Sequence, residues 1–103
     1  MNKNYNVIYL PLFEKDLSEA VDYISINLKS PQAALKLIDK VEKAIMKRLS
    51  APKAFEPFIS KKKRKEQYYR IYVNNFTIFY VVIGNTMEVR RFVYSRRHLE
   101  ELV

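Results

Sequence analysis

Between Gln67 and Arg97 the chain runs QYYRIYVNNFTIFYVVIGNTMEVRRFVYSRR, three stretches rich in apolar, β-branched and aromatic residues parted by Asn74-Asn75 and Gly84-Asn85. Each pair suits a two-residue hairpin turn, so the pattern predicts a three-stranded antiparallel meander. That register sets Val73 opposite Phe76, Arg70 opposite Phe79, Ile83 opposite Thr86 and Phe79 opposite Arg90. Parity then sorts the side chains into two faces. One holds Tyr69, Ile71, Val73, Phe76, Ile78, Tyr80, Val82, Met87, Val89 and Val93, with Arg91 out of character. The other holds Tyr68, Arg70, Tyr72, Thr77, Phe79, Val81, Glu88, Arg90, Phe92 and Tyr94, an exposed mixture of arginines and rings.

Upstream, the run Tyr5 to Leu10 predicts a first strand, and Pro11 suits the first turn of a helix because its missing N–H costs nothing there. Phe13, Leu17, Ala20, Val21, Ile24 and Leu28 recur every three or four residues and predict an amphipathic helix from Pro11 to about Leu28. Ser30-Pro31 predicts a capped start to a second helix, with Ala34, Leu37, Ile38, Val41, Ile45 and Leu49 as its apolar stripe, ended by Ala51-Pro52. A loop from Phe55 to Ser60 follows, and a short last helix is predicted from Arg96 to about Leu102, capped by Ser95. The fold class is therefore α+β, in the order β-α-α-β-β-β-α, with a helical hairpin packed on one face of an antiparallel sheet and the other face free. Residues 1–103 make one domain.

Composition narrows the chemistry. The chain has no Cys and a single His, His98, which rules out thiolate and His-rich metal sites, and one Gly, which rules out a Gly-rich phosphate loop. No cofactor is expected. No apolar run approaches the roughly 20 residues of a membrane span, and the first residues hold no signal-like apolar stretch, so a cytoplasmic protein without membrane contact is expected. Nineteen Lys and Arg against eleven Asp and Glu give +8, which favours a polyanion or an acidic protein as partner. From Phe55 onward ten basic residues face five acidic ones, so the excess of five gathers in and around the sheet.

Lys61, Lys62, Lys63, Arg64 and Lys65 form a run that either is solvated or contacts phosphates of a nucleic acid. Arg70, Tyr72, Phe79, Arg90, Phe92, Tyr94, Arg96 and Arg97 are the candidate partner-binding residues, the aromatics among them also suiting a face that stacks bases or grips a peptide. With Glu88 the only acid on that face, the catalytic chemistry left open is metal-independent RNA scission, in which cations stabilise the transition state and a Tyr or His moves the proton. Arg70, Arg90, Arg96, Tyr68, Tyr72, Tyr94 and His98 are of the types this needs, and Arg70, Arg96 and Tyr94 are its candidates. An exposed Arg→Ala change at Arg70 or Arg90 is expected to shift stability by no more than about 0.5 kcal/mol.

The chain resembles the RelE/ParE superfamily of toxins of type II toxin-antitoxin systems, also called plasmid stabilisation proteins. The resemblance rests on Asp16-Leu17 and Tyr23-Ile24, the Ser30-Pro31-Gln32-Ala33-Ala34 opening of the second helix, Leu49 to Pro52, the run Phe76 to Val82, and Val93-Tyr94-Ser95-Arg96-Arg97. It implies a growth-inhibiting toxin neutralised by a cognate acidic antitoxin, whose target is DNA gyrase in ParE-like members and ribosome-bound mRNA in RelE-like ones. RNA-cleaving members open the central strand with a basic residue where this chain has Thr77, and many carry His where it has Tyr94; Arg70 and Arg96 match. The build is more ParE-like. An mRNA endonuclease is the alternative, and a non-toxic RNA- or protein-binding domain of the same fold is a third reading.

Overall fold

The computed structural model describes residues 5–58 and 65–96. It contains β1 (Asn6–Tyr9), α1 (Pro11–Asp22) continued by a π-helical turn at Tyr23–Asn27, α2 (Pro31–Arg48), β2 (Tyr69–Val73), β3 (Phe76–Ile83) and β4 (Thr86–Tyr94). The last predicted helix, apart from Arg96, lies outside the described residues. Strands β2, β3 and β4 form the expected antiparallel meander, and β1 joins it as a parallel edge strand beside β4, giving the order β1-β4-β3-β2.

Both hairpin turns take the shape their residues allow. Asn74 and Gly84 hold φ of 53° and 59°, the left-handed first position that mirror-image hairpin turns require. Val73 faces Phe76, and Ile83 faces Thr86, as the pattern predicts. At α2 the expected hydroxyl cap is missing: Ser30 makes no side-chain cap, and its carbonyl simply accepts the first helical N–H from Ala34 at 3.1 Å. Pro31 alone sets the helix start.

Helix and sheet share a core of Phe13, Leu37, Val41, Ile45, Ile71, Ile78, Tyr80, Met87 and Val89, all buried. Tyr80 anchors the neighbouring loop. Its hydroxyl donates to the Pro52 carbonyl at 2.6 Å and accepts from the Arg48 guanidinium at 3.0 Å, while Arg48 also holds the Arg70 carbonyl and lies 3.6 Å from the Phe55 ring centroid. Burial chiefly pushes the Tyr80 phenol above its ordinary value near 10, against the opposing pull of Arg48. The folded state therefore keeps this proton more tightly than the unfolded chain does. That contribution is fully present below pH 10 and is lost as pH rises through the higher folded value. In pH-dependent melting, wild-type protein is expected to lose stability above about pH 10 more steeply than a Tyr80→Phe variant.

The meander departs from simple parity at one point. Phe79 pairs with Arg91 and Tyr80 with Val89, so Arg90 is the extra residue of a β-bulge. Beyond it every residue of β4 is displaced by one. Phe92, expected on the free face, turns into the helix-side core at 3 % exposure, and Val93, expected in that core, turns to the other side. The second face is also not free. Phe58 pairs with Tyr68 through its N–H at 2.6 Å, and a smaller core of Tyr68, Phe79, Val81 and Val93 closes against Phe58.

Candidate functional site

The second face of the sheet gathers Arg70, Tyr72, Phe79 and Arg90 of the residues singled out by sequence. Arg70 on β2 places its guanidinium 5.1 Å from the Phe58 ring centroid and 5.8 Å from that of Tyr72. Tyr72 is 62 % exposed and is the ring this face presents. Phe79 is not. It is fully buried, with Phe58 edge-on at 5.0 Å and Tyr68 at 6.3 Å between centroids. The expectation that Phe79 and Phe92 offer apolar surface to a partner is corrected: Phe79, like Val81 of the same expected open face, lies under the Phe58 segment, and the bulge turns Phe92 to the opposite side.

Arg90 is a member of a network rather than an exposed cation. It donates to Glu88 at 2.8 Å, to the Tyr68 hydroxyl at 3.1 Å and to Glu66 at 3.5 Å. Burial alone would lower its affinity for the proton, but the hydrogen bonds with Tyr68 and Glu88 outweigh that and leave it above the ordinary guanidinium value. Since Glu88 and Glu66 keep only 17 % and 28 % of side-chain exposure, removing Arg90 strands two half-buried carboxylates. Arg90→Ala is expected to cost about 1–2 kcal/mol in thermal unfolding, more than an exposed arginine. Nor does Arg90 stand level with Arg70, because the bulge sets Arg91 opposite Phe79.

The remaining candidates lie elsewhere. Tyr94, 37 % exposed, stands edge-on to Phe76 at 5.5 Å on the helix side of the sheet, away from Arg70. Arg96 is exposed in the turn after β4, and Lys65 is exposed as well; Arg97, His98 and Lys61 to Arg64 lie outside the described residues. The three catalytic candidates, Arg70, Tyr94 and Arg96, do not share one face. Thr77, at the start of the central strand, is fully buried, its hydroxyl 2.8 Å from that of Ser95. Among the described residues no three His, Asp or Glu side chains gather closely enough to hold a metal ion, and no helix is long and apolar enough to cross a membrane.

On the helix side a groove of about 690 Å³ opens between α1 with its π-helical turn and the far ends of β3 and β4, walled by Glu19, Tyr23, Ile24, Leu28, Phe76 and Tyr94. Sequence reasoning did not find it. Its floor depends on Phe92 and on Asp16, which accepts from Arg91 at 2.8 and 3.3 Å and from the Phe92 N–H at 3.0 Å. The signal was present: Asp16 sits on the apolar stripe of α1 between Phe13 and Ala20, and Arg91 is the one cation on a predicted core face.

This α+β fold is shared with solved structures of low sequence identity. A chain of the chromosomal ParDE TA system from P. aeruginosa superposes with a TM-score of 0.66 at 16% identity, covering 89% of this chain and 97% of that one. A chain of the E. coli DinJ-YafQ toxin-antitoxin complex gives 0.56 at 14% identity, with 88% and 92% covered. Curated protein sequences give no match. The family model described as the ParE toxin of the type II toxin-antitoxin system, parDE, matches residues 7–99, and the chain belongs to that family.

Proposed function

We propose that this chain inhibits growth by binding a protein target, DNA gyrase, in the cytoplasm, that it does not cut RNA, and that a cognate acidic antitoxin neutralises it. The observation that carries the choice of binder over nuclease is Thr77. Where an RNA-cutting relative needs a cation, this chain buries a neutral hydroxyl bonded to Ser95. One preorganised stabilising group is typically worth a factor of about 10² to 10³ in rate. The separation of Arg70 from Tyr94 on opposite sides of the sheet supports the same reading, since general acid and cation must meet at one phosphate.

The +8 charge supports an acidic partner, and the similarity to chains from toxin-antitoxin assemblies supports an antitoxin in that role. Arg70 and Tyr72 are the half-exposed and exposed groups that such a segment can reach on the second face of the sheet, with Arg96 exposed in the turn after β4. The test pairs a supercoiling assay of purified gyrase with mapping of 5′ ends on ribosome-associated transcripts after induction. The expected result is inhibited supercoiling with transcripts largely uncut in the first minutes. Prompt codon-phased cuts that vanish in a folded Arg96→Ala variant would install the nuclease reading instead.

A further inference from the structure

Although the chain carries +8 overall, α1 and its π-helical turn reverse the sign: from Pro11 to Asn27 stand Glu14, Asp16, Glu19 and Asp22 against Lys15 alone. This acidic element forms one wall of the groove on the helix side of the sheet. Asp16 is already engaged by Arg91, so the acid left at the wall is Glu19, which has no ion-pair partner among the described residues. Around it Tyr23 and Leu28 are 55 % and 56 % exposed and Tyr94 37 %. Large apolar side chains left this exposed in one patch mark an interaction surface. Rings beside a carboxylate suit a particular occupant: an aliphatic stem lies on the rings while its cationic head meets the acid.

We propose that this groove recognises the toxin's protein target, taking a segment that bears a bulky apolar side chain and a lysine or arginine. The inference rests on the reading above that the chain acts through protein contacts and that its antitoxin is acidic. Charge then divides the two partners between the two sides of the sheet. An acidic antitoxin segment is drawn to the side of Arg70 and repelled by α1, whereas a basic target segment is drawn to α1. Opposite charge selects the partner and the apolar contacts supply the affinity.

The test uses two 14-residue amphipathic peptides, identical except that lysines in one are glutamates in the other, with the full chain and its Glu19→Lys and Tyr23→Ala variants. Both substitutions alter exposed side chains, and circular dichroism with thermal melting verifies the folds. Fluorescence anisotropy is expected to show the lysine peptide binding about tenfold tighter than the glutamate peptide, with the preference abolished or reversed by Glu19→Lys and binding of both weakened by Tyr23→Ala. In cells, Glu19→Lys is expected to abolish growth arrest while the cognate antitoxin is still captured. Equal binding of the two peptides, or binding of neither, overturns the proposal, as does a folded Glu19→Lys variant that still arrests growth. Loss of antitoxin capture by that variant assigns the groove to the antitoxin and likewise overturns it. If wild-type protein arrests no growth, the reading of the chain as an active toxin fails, while the peptide comparison still decides what the groove binds.

Discussion

Phe79→Ala should lower stability by about 3–5 kcal/mol, the range for deleting a fully buried aromatic ring. Phe79 has no exposed surface, and Phe58 and Tyr68 lie edge-on against it, so the deletion removes both the apolar burial and two ring contacts. The smaller core has few other members to collapse inward, since it consists of Tyr68, Val81, Val93 and the flanking Phe58. For a chain of 103 residues that is a large share of a total stability of roughly 5–15 kcal/mol. At about 4 °C for each kcal/mol, the melting temperature should fall by roughly 12 °C or more. Tyr72→Ala on the same side is the control. Its ring is 62 % exposed, and its melting temperature should stay within a few degrees of wild type. A Phe79→Ala protein that melts like the Tyr72→Ala control would show that the second face is open to solvent, as the sequence alone suggests.

Why the sequence suggests an open face follows from what parity can and cannot carry. Asn74-Asn75 and Gly84-Asn85 define two turns, and those turns fix the pairing of β2 with β3 and the first half of β3 with β4. The helices are equally legible, because Phe13, Leu37, Val41 and Ile45 fall on stripes of helical period and end up buried. The bulge leaves a single trace, Arg91 on a predicted core face, because past it Phe92, Val93 and Tyr94 are all apolar or aromatic and shifting the strand by one residue exchanges one ring for another. The cover over Phe79 is silent, since it depends on a loop residue, Phe58, returning to Tyr68 from outside any periodic segment. The parallel pairing of β1 with β4 rests on only four residues, and nothing in Asn6–Tyr9 names its neighbour.

The bulge is held in place by the pair the sequence left unexplained, Asp16 and Arg91. Asp16→Ala should cost about 3 kcal/mol, because it breaks a half-buried ion pair and leaves Arg91 without its carboxylate. The side chains of Arg91 and Asp16 keep 21 % and 10 % exposure, so solvent replaces the lost partner only in part. The same carboxylate also accepts the Phe92 N–H at 3.0 Å, just past Val89, where pairing with β1 ends. Asp16 thus satisfies an edge N–H of β4 while holding the bulged residues against α1. Asp16→Asn retains an acceptor for that N–H but loses the charge, and should cost less, about 1–2 kcal/mol. Thermal melting of the three proteins should therefore rank wild type above Asp16→Asn above Asp16→Ala. The spread should be roughly 12 °C between the extremes. A second consequence separates this clamp from an ordinary surface pair: with the bulge released, Phe92 and Tyr94 lose the element that seats them at the groove, so hydrogen exchange at the Phe92 amide should accelerate more than at Val81 on the central strand. Equal acceleration at both amides would mean that Asp16 stabilises the fold as a whole and does not hold the bulge.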